Sequence, residues 1–247
     1  QKTAYDIRLS LVGSEMCIRD RNMDVRIISY SKPATYEDNT ASVGSEISDL
    51  IAYCARVSNP SNQANKETNG RLLKYLSKHK HWSPFEMASV CLEVTTTRDI
   101  ARQILRHRSF SFQEFSQRYA DVDDIGGDSF VTRIARLQDV KNRQNSIETE
   151  NVELHHQWIE AQEAVIQTAK NAYEWAINNG IAKEQARAVL PEGCTVSRLY
   201  INGTIRSWIH YVELRTDIGT QKEHRDIALE IQQLIKQNYP QTYEALS

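Results

Sequence analysis

Glycine and proline are scarce: the 247-residue chain has nine glycines and five prolines, too few for a collagenous or low-complexity sequence. The glycines present do not gather into a phosphate cradle. No strand-like run leads into the glycine spacing of a dinucleotide-binding turn or a P-loop, and the motifs of zinc proteases and serine hydrolases are missing too. A nucleotide or cofactor must therefore be held by side chains and helix ends. Cysteine is equally sparse. Cys17, Cys54, Cys91 and Cys194 lie far apart without a CxxC pair, which excludes a disulfide framework or a zinc knuckle and reads as free thiols in a reducing, cytoplasmic setting. No apolar run approaches the roughly 18 residues of a membrane span. Charge of one sign is missing as well: 30 basic residues face 32 acidic ones, which argues against a uniformly basic nucleic-acid coat.

What is present is mostly helical patterning. Residues 1–22 show neither a signal-peptide pattern nor a helical stripe, whereas Met23 opens a strand-like run through Val25, Ile27 and Tyr30. Met23 thus reads as the natural start and residues 1–22 as a non-native or disordered leader, with a short ordered arm as the alternative. Residues 23–247 read as one domain. Helices are expected over Ser45–Val57 and Gly70–His79, then a turn at His81–Pro84 and a β-branched strand around Val90–Val94. Thr97 reads as the N-cap of a helix running through Arg108. The acidic stretch Asp121–Asp128 looks like an exposed loop. The longest helical pattern spans Ile147–Asn179, with Leu154, Trp158, Ala161, Val165, Ala169, Ala172 and Ala176 as its buried stripe, and Asn178-Asn179-Gly180 ends it. A short helix before Pro191 and helices over Thr204–Leu214 and Gln221–Gln237 complete an α+β, helix-rich chain.

The densest chemical feature is Arg98 to Tyr119, with five arginines (Arg98, Arg102, Arg106, Arg108, Arg118), no lysine and two acids, Asp99 and Glu114. The guanidinium fork grips phosphate or carboxylate oxygens bidentately and keeps its charge when partly buried. Arg106-His107-Arg108 should fan out from a helix end, and Gln113 to Tyr119 adds donors and acceptors suited to a base, a sugar and a phosphate. The bland alternative is a solvated basic face complementing the helix dipole. A second cluster runs from Arg206 to Arg215, where Arg206 and His210 share a helix face. Other groups are plainer: His155-His156 and His79/His81 lack companion metal ligands, and Cys194 has no neighbouring base to make it a nucleophile.

Arg106-His107-Arg108, followed after seven residues by Ser116, resembles the signature of the flavin-dependent thymidylate synthases. Ser116-Gln117-Arg118-Tyr119, the earlier His81-Trp82-Ser83-Pro84-Phe85-Glu86 and the later Leu214-Arg215 with Gln221 fit the same family in the same order. The resemblance runs from about Asp24 to Ala228 and, with its motifs in ordered spacing, is specific. It implies that family's helix-rich α+β fold with a small antiparallel or mixed sheet, in a homotetramer with active sites shared between chains. It also implies FAD, with NADPH and methylenetetrahydrofolate as co-substrates and dUMP as substrate, and no metal, membrane or nucleic-acid partner. Carried over by position, Ser83, Arg106, His107, Arg108, Glu114, Thr204, Arg206 and His210 resemble flavin contacts, Thr204 standing where many members have Asn. Gln103, Arg106, Glu114, Phe115, Ser116, Gln117, Arg118, Arg187 and Arg215 resemble the dUMP-binding set, and Gln113 replaces a commoner Asn.

The residues suit that chemistry. Carbon 5 of uracil becomes nucleophilic when negative charge builds on the ring, and a cation fixed beside N3 and O2 would stabilise that charge; Arg215 is the candidate. Arg118 and Arg187, with Ser116, suit a dianionic phosphate. A flavin supplies reducing power, so no protein nucleophile is required. The competing reading is a helical module in which Phe110, Phe112, Phe115 and Tyr119 stack the bases of single-stranded nucleic acid between arginines.

Overall fold

The structure, a computed structural model, describes residues 23–34 and 43–241; the leader expected over residues 1–22 and Cys17 lie outside them. The elements run β1 (Asp24–Tyr30), α1 (Ile47–Ala55), α2 (Asn69–Lys78), β2 (Ser89–Thr97), α3 (Arg98–Ile104), β3 (Phe110–Glu114), β4 (Arg136–Gln138) and β5 (Ser146–Glu148). There follow α4 (Val152–Asn178), α5 (Lys183–Ala186), β6 (Val196–Thr204), α6 (Ile205–Arg215) and α7 (Lys222–Asn238). Four strands form a sheet in the order β1-β2-β6-β3, and β4 pairs with β5 as an antiparallel ribbon with Leu137 opposite Ile147. The class is α+β, as the sequence indicates.

Two compact units can be described. One comprises 25–93, 107–112 and 200–247. Its interior holds Ile47, Ile51, Leu73, Phe85, Ile205, Trp208, Ile227 and Ile231, the inward positions of α1, α2, α6 and α7. Burying side chains of this kind contributes roughly 1.5–3 kcal/mol each. Polar groups at the edge of this interior are paired at two points. Trp208 donates its indole N–H to the Val90 carbonyl at 3.0 Å, and buried Arg56 donates to Asn65 O, Thr68 Oγ1 and Asn69 Oδ1 at 2.6–2.9 Å. Thr204 starts α6 by accepting the Ser207 amide on Oγ1 at 3.2 Å, an N-cap worth about 1 kcal/mol.

The other unit takes 94–106 and 113–199. Val122, Tyr173, Ala176, Ala186 and Leu190 form a core cluster in it, with Phe130 and Ile177 packed alongside. The acidic stretch expected as an exposed loop is folded down at this point. Val122–Ile125 is a 3-10 turn with both Val122 and Ile125 buried, and Asp121 accepts hydrogen bonds from Tyr173 (3.1 Å) and Lys183 (2.9 Å). Its apolar pair, spaced three apart, outweighs the surrounding charge.

The long helix also departs from expectation. It starts at Val152 and not at Ile147, which lies in β5, and it ends at Asn178 before Gly180 at φ +75°. Its buried positions are His155, Gln162, Ala169, Tyr173 and Ala176, while Trp158, Val165 and Trp175 are exposed. The buried seam is therefore one residue out of register with most of the apolar stripe. The reason is polar. Gln162 accepts from the Arg133 amide at 2.9 Å and returns a hydrogen bond to the Arg133 carbonyl at 2.8 Å. His155 Nδ1 accepts the Ala135 amide at 3.2 Å, so its Nε2–H donates to the Thr149 carbonyl at 2.8 Å. Buried polar groups settle where main-chain partners wait for them.

Gly203 on β6 has no room for a side chain: a Cβ there would lie 2.3 Å from the Phe110 ring. Phe110 in turn packs on Trp208 with ring centroids 4.5 Å apart. Gly203→Ala should therefore displace Phe110 and destabilise the protein by about 1–3 kcal/mol, read as a lower urea midpoint at an unchanged m-value. A midpoint equal to the parent's would show that Phe110 yields freely.

Candidate active site

Arg106, His107 and Arg108 lie beyond the helix that was expected to carry them. α3 stops at Ile104 with Leu105 as C-cap, so the three residues occupy the turn leading to β3. Thr97 precedes α3 in extended conformation but does not cap it with its side chain. Its hydroxyl instead donates to Asp99 (2.6 Å) and accepts from Arg133 (2.7 Å). Arg133 also grips Asp99 with two nitrogens at 2.8–2.9 Å, and these bonds hold the Asp99 carboxyl below its usual range against the opposing effect of burial. The start of α3 is thus pinned by a charge pair, and the arginines that follow are displayed past its end.

In the unit containing 107–112 and 200–247, His107 meets Arg215. The Arg215 Nε–H donates to His107 Nε2 at 2.9 Å. An imidazole nitrogen that accepts must be unprotonated, so His107 is neutral with its proton on Nδ1. Burial and the Arg215 charge both lower the His107 pKa, which favours that state. The Arg215 terminal nitrogens carry no further hydrogen bond among the described residues and remain for a ligand. Arg108 is exposed, with no carboxylate within ion-pair distance among the described residues. Arg206 pairs with Glu86 through Nη1 at 2.6 Å, beside the 3-10 turn Ser83–Glu86 whose first residues include Pro84. His210 packs edge-on against Trp82, ring centroids 4.9 Å apart. Thr204 spends its hydroxyl on the α6 cap. Ser83, Arg206 and His210 are thus gathered around one turn, and His107 and Arg215 are joined directly.

The other unit holds Gln103, Arg106, Glu114 to Arg118, and Arg187. Glu114 accepts from buried Ser197 at 2.9 Å and lies 3.5 Å from Arg98. The Ser116 hydroxyl accepts the Arg118 amide at 3.4 Å. Arg118 and Arg187 meet at one residue: Arg118 Nη2 is 3.8 Å from the Glu184 carboxylate, and Arg187 Nε donates to the Glu184 carbonyl at 3.3 Å. Gln117 is 3% exposed, and its side-chain amide nitrogen has no hydrogen-bond partner among the described residues. A buried donor without an acceptor costs about 1–3 kcal/mol, so an acceptor from a ligand would relieve it. Arg106 is exposed.

Sequence reasoning missed three residues that the structure places on these groups, Ser197 on Glu114 and Tyr211 and His224 behind His107, and gave Arg98, named only as one of five arginines, no link to Glu114. Tyr211 had a signal, since it precedes Arg215 by four on one helix face. His224 had none, because α7 brings it in from elsewhere in the chain. His224 is fully buried, and its Nε2 lies 3.0 Å from the Tyr211 hydroxyl. Burial first, then the charge of Arg215, holds its pKa down to about 3.

The two groups thus assemble arginine and histidine side chains without a glycine-rich loop. Comparisons with known proteins give the family. The profile of the family described as "Thymidylate synthase complementing protein" matches residues 42–241. A probable flavin-dependent thymidylate synthase of Paramecium bursaria Chlorella virus 1 is 47% identical over 224 residues, covering 91% of this chain and 99% of the relative. The flavin-dependent thymidylate synthase of a Synechocystis species is 48% identical over 226 residues, with 91% and 99% covered. Among solved structures, a UMP/dUMP methylase, PolB from Streptomyces cacaoi bound with 5-Br UMP, superposes with a TM-score of 0.74 at 26% identity, covering 90% of this chain and 92% of that one. The chain belongs to the flavin-dependent thymidylate synthase family.

The neutral state of His224 has a measurable cost in acid. The unfolded chain binds its proton near the ordinary 6.5, the folded one only near 3. Between those values the unfolded state carries the extra proton, so stability falls as pH drops through that window. Urea unfolding at about pH 7 and about pH 5 should show the loss, and His224→Leu should shrink it. An identical loss in that variant would place the acid sensitivity elsewhere.

Proposed function

We propose that the protein is a cytoplasmic thymidylate synthase that reductively methylates dUMP to dTMP, taking its carbon from methylenetetrahydrofolate and its electrons from NADPH through FAD. The observation that carries this reading is the Arg215–His107 hydrogen bond, which holds a guanidinium through Nε alone and leaves its terminal nitrogens for a ligand. Placed beside N3 and O2 of the pyrimidine, that cation stabilises the negative charge that makes carbon 5 nucleophilic. A carbon–carbon bond then forms between carbon 5 and the methylene carbon as that carbon's bonds to the folate nitrogens break, the proton on carbon 5 leaves, and two electrons with a proton complete the methyl group, tetrahydrofolate being the leaving group. The flavin, when bound, supplies those electrons.

The remaining roles follow residue by residue. Arg118 and Arg187, which converge on Glu184, and Ser116 beside them take the nucleotide phosphate. Glu114, Phe115, Gln117, Gln103 and Arg106 line the nucleotide, and the unsatisfied Gln117 amide supports that assignment because it needs an acceptor. The residues also suit a dinucleotide flavin. Arg108 is an exposed cation without a carboxylate partner among the described residues, and His107 presents Nδ1–H as a donor; with Ser83, Arg106, Glu114, Thr204, Arg206 and His210 they would hold FAD. No step calls on Cys194, whose thiol burial pushes upward, away from the reactive thiolate.

The working assembly is a homotetramer whose sites draw on more than one chain. The apolar face that α4 leaves exposed, with Trp158 at 46%, Val165 at 53% and Trp175 at 63%, is a surface that a further copy would cover. No helix among the described residues is long and apolar enough to cross a membrane.

The test is dTMP formation from dUMP and methylenetetrahydrofolate with FAD, run with and without NADPH. Product that depends on NADPH is expected. Product without it would point to a cysteine route and overturn the reading. Arg215→Ala should lower kcat by at least about a hundredfold, the scale of removing a transition-state charge stabiliser, while flavin stays bound; near-normal turnover would remove Arg215 from its role. Arg108→Ala should release flavin on gel filtration, and full retention would reassign that contact.

A further inference from the structure

Behind Arg215 lies a set of buried ionisable side chains to which the reaction gives no task. Tyr211 and Arg215 are four apart on α6 and share a face. Tyr211 is 2% exposed and His224 fully buried. The two are joined by a 3.0 Å hydrogen bond between the phenol and His224 Nε2. The Tyr211 ring stands nearly upright on His107, centroids 4.9 Å apart at 68°, and His224 closes the group at 6.3 Å from His107. Phe110 bounds His107 on a further side at 6.4 Å. His107 then accepts from Arg215 at 2.9 Å. The path from α7 to the guanidinium is unbroken: His224, Tyr211, His107, Arg215.

We infer that Tyr211 and His224 are positioning residues: their hydrogen bond fixes the Tyr211 ring, the ring fixes the His107 imidazole, and the imidazole holds Arg215 in place for the pyrimidine. This rests on the role of Arg215 given above. Phenylalanine and leucine would fill the same space without desolvating a phenol and an imidazole, so packing alone does not account for the polar pair. A hydrogen bond adds direction where packing leaves a ring free to rotate. The direction matters because a cation displaced by a fraction of an ångström from a developing charge loses much of its effect on rate. The pair also adds no competing charge. Burial keeps His224 uncharged and pushes the Tyr211 hydroxyl far up, so Arg215 is the sole cation in the group.

Two variants and a rescue test the inference. Tyr211→Phe keeps the ring and removes the hydroxyl. Tyr211→Phe/His224→Leu replaces both partners by apolar groups, so that no imidazole nitrogen is left facing a lost phenol. Both are expected to lower kcat roughly three- to tenfold, the scale of one lost hydrogen bond felt at the transition state, with KM for dUMP and flavin content near those of the parent; melting temperature should differ between the two, because only Tyr211→Phe strands the His224 nitrogen, so the loss of rate does not follow it. His224→Gln, which can still bond the phenol, should recover most of the rate. Nitrogen-15 NMR of the flavin-free protein supplies an independent readout: His107 should carry its proton on Nδ1 in the parent and divide it between both nitrogens in Tyr211→Phe. Unchanged kcat and an unchanged tautomer in both variants would overturn the inference. So would a loss of rate that follows melting temperature and that His224→Gln fails to restore, since that marks a merely structural role. Arg215→Ala separates the two levels: an active variant sinks the role of Arg215 itself, whereas an inactive one beside a normal Tyr211→Phe sinks only the positioning.

Discussion

An imidazole accepts a hydrogen bond only while it is uncharged, and the arrangement around Arg215 depends on that condition. The guanidinium is a permanent cation; a protonated His107 would turn its best anchor into a repelling neighbour. The fold meets the condition by surrounding His107 with Phe110, Tyr211 and His224, which are aromatic and uncharged. Low polarity disfavours imidazolium, and the cation it protects adds to that preference. Each group helps to maintain the state of the next, so the arginine and the histidine are better regarded as one unit of chemistry than as two residues.

The same logic separates the anchored cations from the available ones. Arg56, Arg133 and Arg26 are committed to partners that hold elements in place: Arg26 clasps buried Glu93 through two nitrogens at 2.7–2.9 Å, and Arg133 clasps Asp99. Arg106 and Arg108 follow the end of α3 with no carboxylate close enough to pair among the described residues. Ending the helix at Ile104, two residues before the first of them, takes both off a regular surface where neighbours four apart would meet. A short helix is therefore the means by which the chain leaves these two guanidiniums exposed past a helix end.

Much of this was legible in sequence. The helices at Ile47, Asn69, Ile205 and Lys222 fell within a residue or two of where periodicity put them, because each has a clear apolar stripe and a recognisable start or stop. Residue types and their order singled out Arg98 to Tyr119 and Arg206 to Arg215 as the stretches from which the site is proposed. What escaped was decided by tertiary partners. The stripe on α4 was misread because the inward face carries His155 and Gln162, and no periodicity reveals that a glutamine has a main-chain segment to bind. Val122 and Ile125 were hidden among aspartates. The Tyr211–His224 pair joins two helices, so nothing local announced it.

Gln162 gives that misreading a positive content. Its carboxamide accepts from the Arg133 N–H and donates to the Arg133 carbonyl, as the main chain of an adjacent β-strand would. One side chain thus stands in for a strand partner at a residue that lies outside every strand. The register of that segment is consequently written in the angular phase of a helix. A single inserted residue between 155 and 162 would turn the amide by about 100° and unzip the segment, although every main-chain bond of the helix could still form. The length of α4 on that side is a coded quantity, fixed by what it must face and indifferent to how well it coils.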